Sequence, residues 1–212
     1  MKLYGYWRSS AAYRVRIGLN LKELAVDEEF IALPNGIQRG ADYLAVNPQG
    51  LVPTLIDGDV RLSQSLAILE YLDEVYPRPG LLPADPVGRA RVRQLAQVVA
   101  CDIHPIDNLK VLNFLTGTLG VSEAGRLTWY RHWVNQGLAA LEGLVADDPA
   151  TGRFCHGDQP SLADLCLVPQ LYNARRFDID LSQYPTLWKI DAACQALEAF
   201  AKAAPDVQPD AP

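Results

Sequence analysis

Residues 3–19 read LYGYWRSSAAYRVRIGL, and this stretch decides the first part of the fold. The apolar segment at residues 3–6 predicts a β-strand, and the residues from position 12 onwards follow a helical period. Ser9 and Ser10 separate the two patterns, so they stand at a predicted helix N-terminus. At such a position serine is a common cap, and the free N–H groups together with the helix dipole favour a negative charge.

Two interpretations of these serines stay open at this point. They cap the helix and do nothing else, or they also stabilise an anionic ligand that binds at the helix end. A thiol is one such ligand, because a thiol near a helix N-terminus is more acidic than a free one. We expect Arg14 and Arg16, on different faces of the same helix, to brace the domain or a dimer.

A second feature is the pair Val52-Pro53, which opens a predicted strand at residues 53–56. Proline donates no ladder hydrogen bond and is confined to strand ends, edges and bulges. A cis bond here would let Val52 offer its N–H and C=O to an extended peptide ligand. The alternative is an ordinary proline that starts a strand.

A third feature is Gln64-Ser65, which stands at the start of a helical pattern over residues 65–76. We expect Ser65 to cap this helix and to meet a carboxylate at its N-terminus, with the Gln64 amide beside it as donor and acceptor. Capping alone remains the simpler interpretation.

Four segments together resemble the zeta class of glutathione transferases. They are RSSAAYRVRI at residues 8–17, NPQGLVPT at 47–54, QSLAILEYL at 64–72 and ADLCLVPQ at 163–170. The resemblance covers nearly the whole chain and departs from the class at Ala11, where a cysteine is usual. It implies glutathione as cofactor and a cis–trans isomerisation that converts maleylacetoacetate or maleylpyruvate, both maleyl diketo-acids, to the fumaryl isomer. With no cysteine in the serine turn, the reactive sulfur is expected to come from glutathione.

The resemblance and the residue chemistry together give a set of predicted site residues. The predicted catalytic residues are Arg8, Ser9, Ser10 and Arg176. The predicted glutathione contacts are Ser9, Ser10, Gln38, Val52, Pro53, Gln64, Ser65, His104 and Asn108. A small dianionic substrate also needs cations, for which Arg8, Lys110 and Arg176 are predicted.

Helical geometry refines two of these predictions. Arg175 and Arg176 diverge by about 100° on a helix, so at most one is expected to face a pocket. His104 and Asn108 lie four residues apart on a predicted long helix and are expected to share a face.

Composition excludes several other classes of protein. The chain of 212 residues has 25 acidic and 19 Lys or Arg residues, a formal charge of −6 that argues against nucleic-acid and anionic-membrane partners. It has no apolar run long enough to span a membrane and no secretory signal near Met1. Its four cysteines show no disulfide or metal-ligand spacing, so we expect reduced thiols, no metal and a cytoplasmic location.

The order of patterns predicts two domains of different class. Residues 1–80 predict a thioredoxin-like α/β domain (βαβαββα). The resemblance implies that this domain binds glutathione. A proline-rich linker precedes residues 87–212, which predict an all-helical domain with long helices at 87–115 and 122–146 and shorter ones after 161 and at 185–203. The resemblance implies that this domain binds the substrate. Ser161 and Asp164 have the spacing of a capping box, and the tail from Ala204 is expected to be poorly ordered.

Alternative functions remain open beside the isomerase. A general glutathione transferase or a dehalogenase of small α-halo acids would use the same thiolate but consume it or expel halide. A non-enzymatic binding protein on the same scaffold is also possible from fold alone. The resemblance, and no residue pattern, implies a homodimer.

Overall fold

A computed structural model describes residues 1–212 as two compact units. The first unit contains Met1–Leu81 together with Gln195–Pro212, and the second contains Leu82–Cys194. The division differs from the prediction at one end of the chain. Gln195–Pro212, expected in the helical domain, packs in the first unit instead.

The first unit is built on a four-stranded mixed sheet in the order β2-β1-β3-β4. Strand β1 (Lys2–Gly5) is parallel to β2 (Asp27–Phe30) and antiparallel to β3 (Thr54–Asp57), which forms a hairpin with β4 (Val60–Ser63). The βαβ unit followed by a hairpin and a helix confirms the predicted thioredoxin-like fold.

Three helices of the first unit surround this sheet. They are α1 (Ser10–Leu21), α2 (Ala41–Val46) and α3 (Ser65–Val75), with short 3-10 turns at Leu33–Asn35 and Ile37–Arg39. The apolar faces of α1 and α3 meet the sheet, and Ile17, Leu3 and Ile68 are fully buried. Helix α1 follows β1 and α3 follows β4, and these two strands run in the same direction, so both helices begin at the same end of the sheet.

The second unit is helical, as predicted. Its helices are α4 (Pro86–Gln97), α5 (His104–Asp107), α6 (Leu109–Gly117), α7 (Glu123–Val145), α8 (Leu162–Arg176) and α9 (Pro185–Gln195), the last ending at the boundary of the unit. The capping box predicted for α8 is present, since the N–H of Ser161 donates to Asp164 Oδ2 at 2.8 Å.

The predicted long helix over residues 87–115 is interrupted. A π-helical segment, Val98–Ile103, follows α4, and α5 and α6 then continue as separate helices. Pro105 has no N–H for a helical bond, and a side chain at Gly137 would clash with Ile103, which approaches its backbone closely. The close approach of Ile103 to α7 therefore depends on Gly137, which lies far away in sequence.

The C-terminal tail is packed, so the expectation of poor order is wrong. Helix α10 (Glu198–Ala203) packs against α1, and a 3-10 turn at Pro205–Val207 follows it. Gln208 is buried, and its Nε2 donates to the carbonyl oxygens of Lys202 and Ala204 at 2.9 and 2.8 Å. These bonds explain the order, because a proline-rich tail stays mobile only where nothing fixes it.

No helix in the structure combines the length and the apolar character that a membrane span needs.

Candidate active site

The turn between β1 and α1 places Ser9 at the N-cap of the helix. Its backbone is extended (φ −69°, ψ 117°), and its Oγ accepts the N–H of Ala12 at 3.2 Å. The predicted cap is confirmed, and it leaves the hydroxyl proton of Ser9 free to be donated, because a cap uses only a lone pair. Capping and anion binding are therefore compatible at this serine.

Ser10 and Arg8 flank Ser9 but differ from it in exposure. Ser10 is the first residue of α1 and is buried, whereas Ser9 and Arg8 are partly exposed. The Arg8 guanidinium lies over the ring of Trp7, 5.3 Å from its centre. Of the two serines, Ser9 has the more accessible hydroxyl.

The Val52-Pro53 peptide bond is cis, as the sequence-based hypothesis proposed. Val52 lies outside the ladder pairs of β3, and no backbone hydrogen bond of the loop uses its N–H or C=O. The loop itself is fixed, since the Tyr43 hydroxyl and the Asn47 amide both donate to the Leu51 carbonyl, at 2.7 and 2.8 Å. The N–H and C=O of Val52 are thus an unused donor and acceptor in a loop whose backbone is fixed by hydrogen bonds.

Gln64 and Ser65 begin α3 in a way that the sequence did not indicate. Gln64 takes the cap position with a left-handed backbone (φ 71°, ψ 114°) and makes no side-chain cap. A non-glycine residue in this region costs about 1–3 kcal/mol, and such residues cluster at ligand sites. Its amide Nε2 donates to Gln49 Oε1 at 3.1 Å.

The prediction that Ser65 caps α3 is therefore wrong. Ser65 is the first helical residue, and its buried hydroxyl accepts a hydrogen bond from Arg14 Nη1 at 3.2 Å. The N–H groups of the first turn of α3, which have no partner within the helix, remain the donors that a carboxylate would meet.

Gln38 lies on the 3-10 turn before α2, and its Oε1 is buried without a hydrogen-bond partner. The carbonyl oxygen of Gln38 closely approaches Gly50, where an added Cβ would come within 2.9 Å of it. Gly50 has a φ of 60°, so only glycine fits this contact easily. The turn and the loop before Pro53 are thereby packed together.

Strand register brings the three predicted motifs to one end of the sheet. Tyr4 on β1 pairs with Thr54 on β3, and Thr54 pairs with Ser63 on β4. Ser9 follows β1, the Val52-Pro53 bond precedes β3 and Gln64 follows β4. Neighbouring strands lie about 4.8 Å apart, so Tyr4, Thr54 and Ser63 lie side by side across the sheet. All three motifs are therefore attached to the same end of the sheet.

The predicted residues on α5 and α6 are arranged differently from the expectation. Asn108 has an extended backbone (φ −77°, ψ 164°) and caps α6, its Oδ1 accepting the N–H of Lys110 at 3.0 Å. His104 begins α5, which ends at Asp107, so His104 and Asn108 do not share one helix face as predicted. Lys110 is exposed.

Arg175 and Arg176 end α8 and have different partners. Arg175 forms an ion pair with Asp191 and lies over the Trp188 ring. Arg176 is exposed, and its Nη1 donates to Asn173 Oδ1 at 3.1 Å. Both arginines are exposed, but Arg175 is paired with α9, whereas Arg176 lies over the Phe177 ring, 5.6 Å from its centre.

Sequence reasoning missed Asp107, the residue before Asn108. Both of its carboxylate oxygens are buried without a hydrogen-bond partner, and this burial raises the pKa of Asp107 to about 7. The pKa of Tyr130 on α7 is raised, mainly by burial and in second place by the charge of Asp107. The charge of Arg176 and a hydrogen bond with Gln170 oppose this rise. Nothing in a single sequence distinguishes this buried acid from an exposed one.

Comparisons with known protein families match both parts of the chain. Residues 8–75 match "Glutathione S-transferase, N-terminal domain", and residues 134–203 match "Glutathione S-transferase, C-terminal domain". A Vibrio cholerae protein named probable maleylacetoacetate isomerase is 52% identical, over 99% of this chain and 97% of its own. A Ralstonia maleylpyruvate isomerase is 50% identical, over 99% of both chains.

Solved structures agree with these relatives. The holo structure of a maleylpyruvate isomerase, described as a bacterial glutathione S-transferase of the zeta class, has a TM-score of 0.98 and 48% identity, with both chains fully covered. The chain belongs to the zeta class of glutathione S-transferases. A further structure of the class, maleylacetoacetate isomerase from Methylobacterium extorquens with bound malonate and glutathione, has a TM-score of 0.97 and 48% identity, again with full coverage of both.

Proposed function

We propose that this zeta-class chain is a glutathione-dependent cis–trans isomerase that converts a maleyl diketo-acid to its fumaryl isomer. The observation that carries the proposal is the row Tyr4–Thr54–Ser63, which gathers the Ser9 turn, Val52 and the start of α3 at one sheet end. Relatives at about 50% identity bear the names maleylacetoacetate isomerase and maleylpyruvate isomerase. Solved structures of the class hold glutathione, and one of them also holds malonate, a small dicarboxylate.

The first unit fits glutathione on three independent points. Val52 has an unused backbone N–H and C=O for an extended peptide, Gln38 has a buried Oε1 without a partner, and the first turn of α3 offers free N–H groups to a carboxylate. Pro53, Gln64, Ser65 and Ser10 complete the proposed glutathione contacts of this unit. In the second unit we propose His104 and Asn108, whose Nδ2 is not used by its cap.

Bound glutathione supplies a thiolate that adds reversibly to an alkene carbon, so that the former double bond rotates before elimination restores it. The Ser9 hydroxyl donates a hydrogen bond to the sulfur, and the N-terminus of α1 stabilises its negative charge. Both effects lower the pKa of the thiol and raise the fraction that is ionised at neutral pH.

The protein's own cysteines do not offer a competing nucleophile in this turn, since Ala11 occupies the third position after Arg8. Cys155, Cys166 and Cys194 are buried, and burial is the main reason that the pKa of Cys155 and of Cys194 is raised.

The substrate carries two carboxylates, and we propose that Arg8, Lys110 and Arg176 bind them. Guanidinium groups suit this task because their planar N–H pairs match carboxylate geometry. They also stabilise the negative charge that develops on the carbonyl oxygen during addition. The homodimer and the cytoplasmic location stay predictions.

The test is a conversion of cis maleyl diketo-acid by the purified protein with and without glutathione. We expect the fumaryl product only in the presence of glutathione, whose concentration stays constant during many turnovers. Turnover without glutathione, or loss of one glutathione per product, contradicts the isomerase and favours a transferase. A comparison of kcat/KM for maleylacetoacetate and maleylpyruvate then shows which of the two substrates the enzyme prefers.

A further inference from the structure

The turn at residues 6–9, which contains Arg8 and Ser9, is held by one hydrogen bond within it and by two side chains from outside it. The Ser9 N–H donates to the Tyr6 carbonyl at 2.9 Å, which closes the turn. The N–H of Trp7 donates to Asp210 Oδ2 at 2.9 Å, although the two residues are 203 positions apart. The Trp7 carbonyl accepts from Arg16 Nη2, also at 2.9 Å. Both backbone polar groups of Trp7 are therefore fixed by side chains.

Arg16 ties the tail to the same turn. Its guanidinium is buried, and its Nε donates to the Ala203 carbonyl at the end of α10 at 3.1 Å. Burial lowers the pKa of Arg16, while the charges of Glu28 and Asp210 oppose this effect. The Asp210 carboxylate thus accepts the Trp7 N–H and is attracted by the charge of the buried Arg16, while the like charge of Glu28 opposes it.

These bonds form a closed connection, which we call the tail clamp: Trp7, Arg16, Ala203 and Asp210. All four residues belong to the first unit. A hydrogen bond from a backbone N–H to a carboxylate is stronger than one to a neutral acceptor, and a bond at Trp7 restrains the backbone two residues before Ser9.

We propose that Asp210 is a positioning residue for the isomerase, which, through its bond to the Trp7 N–H, holds the turn that aims the Ser9 hydroxyl at the thiol of glutathione. This inference rests on the proposed role of Ser9. Asp210 itself touches neither the sulfur nor the substrate in this account. Its effect should appear in the thiol pKa and in kcat, because displacement of a hydrogen-bond donor by a fraction of an ångström weakens transition-state contacts most.

The test compares Asp210→Ala and Asp210→Asn in the full-length protein. Alanine removes the acceptor, whereas the asparagine carboxamide oxygen still accepts the Trp7 N–H. For Asp210→Ala we expect faster hydrogen exchange of the Trp7 amide, a raised pKa of bound glutathione by ultraviolet titration of the thiolate, and about a tenfold loss of kcat, equivalent to ~1.4 kcal/mol. For Asp210→Asn we expect a loss of about threefold or less.

Glu198→Ala is the matched control on α10. Glu198 pairs only with the exposed Lys202, and its loss should leave the thiol pKa and kcat as in wild type. A folded Asp210→Ala protein with the wild-type thiol pKa overturns the positioning role, as does an Asp210→Asn protein that is as impaired as the alanine variant. A wild-type protein that binds glutathione but isomerises no maleyl diketo-acid contradicts the proposed function and not the role of Asp210. The thiol titration of the Asp210 variants still tests that role.

Discussion

The Arg14 guanidinium donates a hydrogen bond of 3.2 Å to the Ser65 hydroxyl inside the first unit. Arg14 lies one turn into α1 and Ser65 begins α3, so this bond connects the two helix N-termini that are proposed to face the thiol and a carboxylate of glutathione. Both side chains are buried, which makes the bond sensitive to any loss of the acceptor.

Ser65→Ala should therefore reduce both stability and glutathione binding. The substitution takes an acceptor from a buried guanidinium, which costs about 1–3 kcal/mol in free energy of unfolding. Urea denaturation and calorimetric titration with glutathione measure the two effects. Ser65→Thr keeps the hydroxyl and should recover most of the affinity; an alanine variant as stable and as tight-binding as wild type would show that the bond is dispensable.

Substitutions at Ser9 separate its capping role from its role toward the thiol. Ser9→Ala removes both, so we expect a loss of about 1 kcal/mol in stability and a raised pKa of bound glutathione. Ser9→Asp keeps a cap acceptor but donates no hydrogen bond when ionised, so it should retain stability and still raise the thiol pKa. Thiolate absorbance against pH measures the pKa, and thermal denaturation measures the cap. An unchanged thiol titration in the alanine variant removes Ser9 from its proposed role.

Arg176→Ala should weaken use of the dianionic substrate and spare glutathione. A hydrogen bond to a charged group contributes about 1.5–3 kcal/mol, so kcat/KM for the diketo-acid should fall tenfold or more while KM for glutathione stays constant. Arg175→Ala is the neighbouring control, because it breaks the ion pair with the buried Asp191 and should lower stability without changing substrate use. The reverse pattern would assign the substrate contact to Arg175.

Asp107 gives the protein a defined dependence of stability on pH. Its pKa is raised to about 7 in the folded chain, against about 3.9 in an unfolded one. The folded state therefore binds the proton more tightly, and stability falls as pH rises from about 4 to 7. Asp107→Asn cannot ionise, so it should flatten this slope and stabilise the protein at pH 8 by about 1–3 kcal/mol. Denaturation series at pH 5 and pH 8 measure it; equal gains at both pH values would contradict the assignment.

The sequence predicted elements whose causes are local. Ser9 and Ser161 mark the beginnings of α1 and α8 as predicted, because capping depends on residues within one turn. The Val52-Pro53 bond is cis, which was one of the two interpretations of a proline at a strand start.

Features that depend on tertiary contacts were not predicted. Ile103, at the end of the π-helical segment after α4, packs closely on Gly137 of α7, and periodicity within residues 87–115 contains no sign of this contact or of the interruption. Gln64 occupies the cap position of α3 instead of Ser65, with a backbone that only its surroundings stabilise. The burial of Asp107 and the bond between Trp7 and Asp210 likewise arise from residues distant in sequence.

The tail clamp also bears on how the chain is made. Ribosomes synthesise residues 195–212 after the whole second unit. The first unit therefore cannot complete its folding until these residues are made, while the helices of the second unit can already fold. During that interval α1 lacks its partner α10, and the buried surface around Arg16 is open to solvent. Nascent chains stalled before residue 195 should for this reason engage chaperones, and glutathione should begin to protect the first unit from protease only once residues 195–212 have emerged.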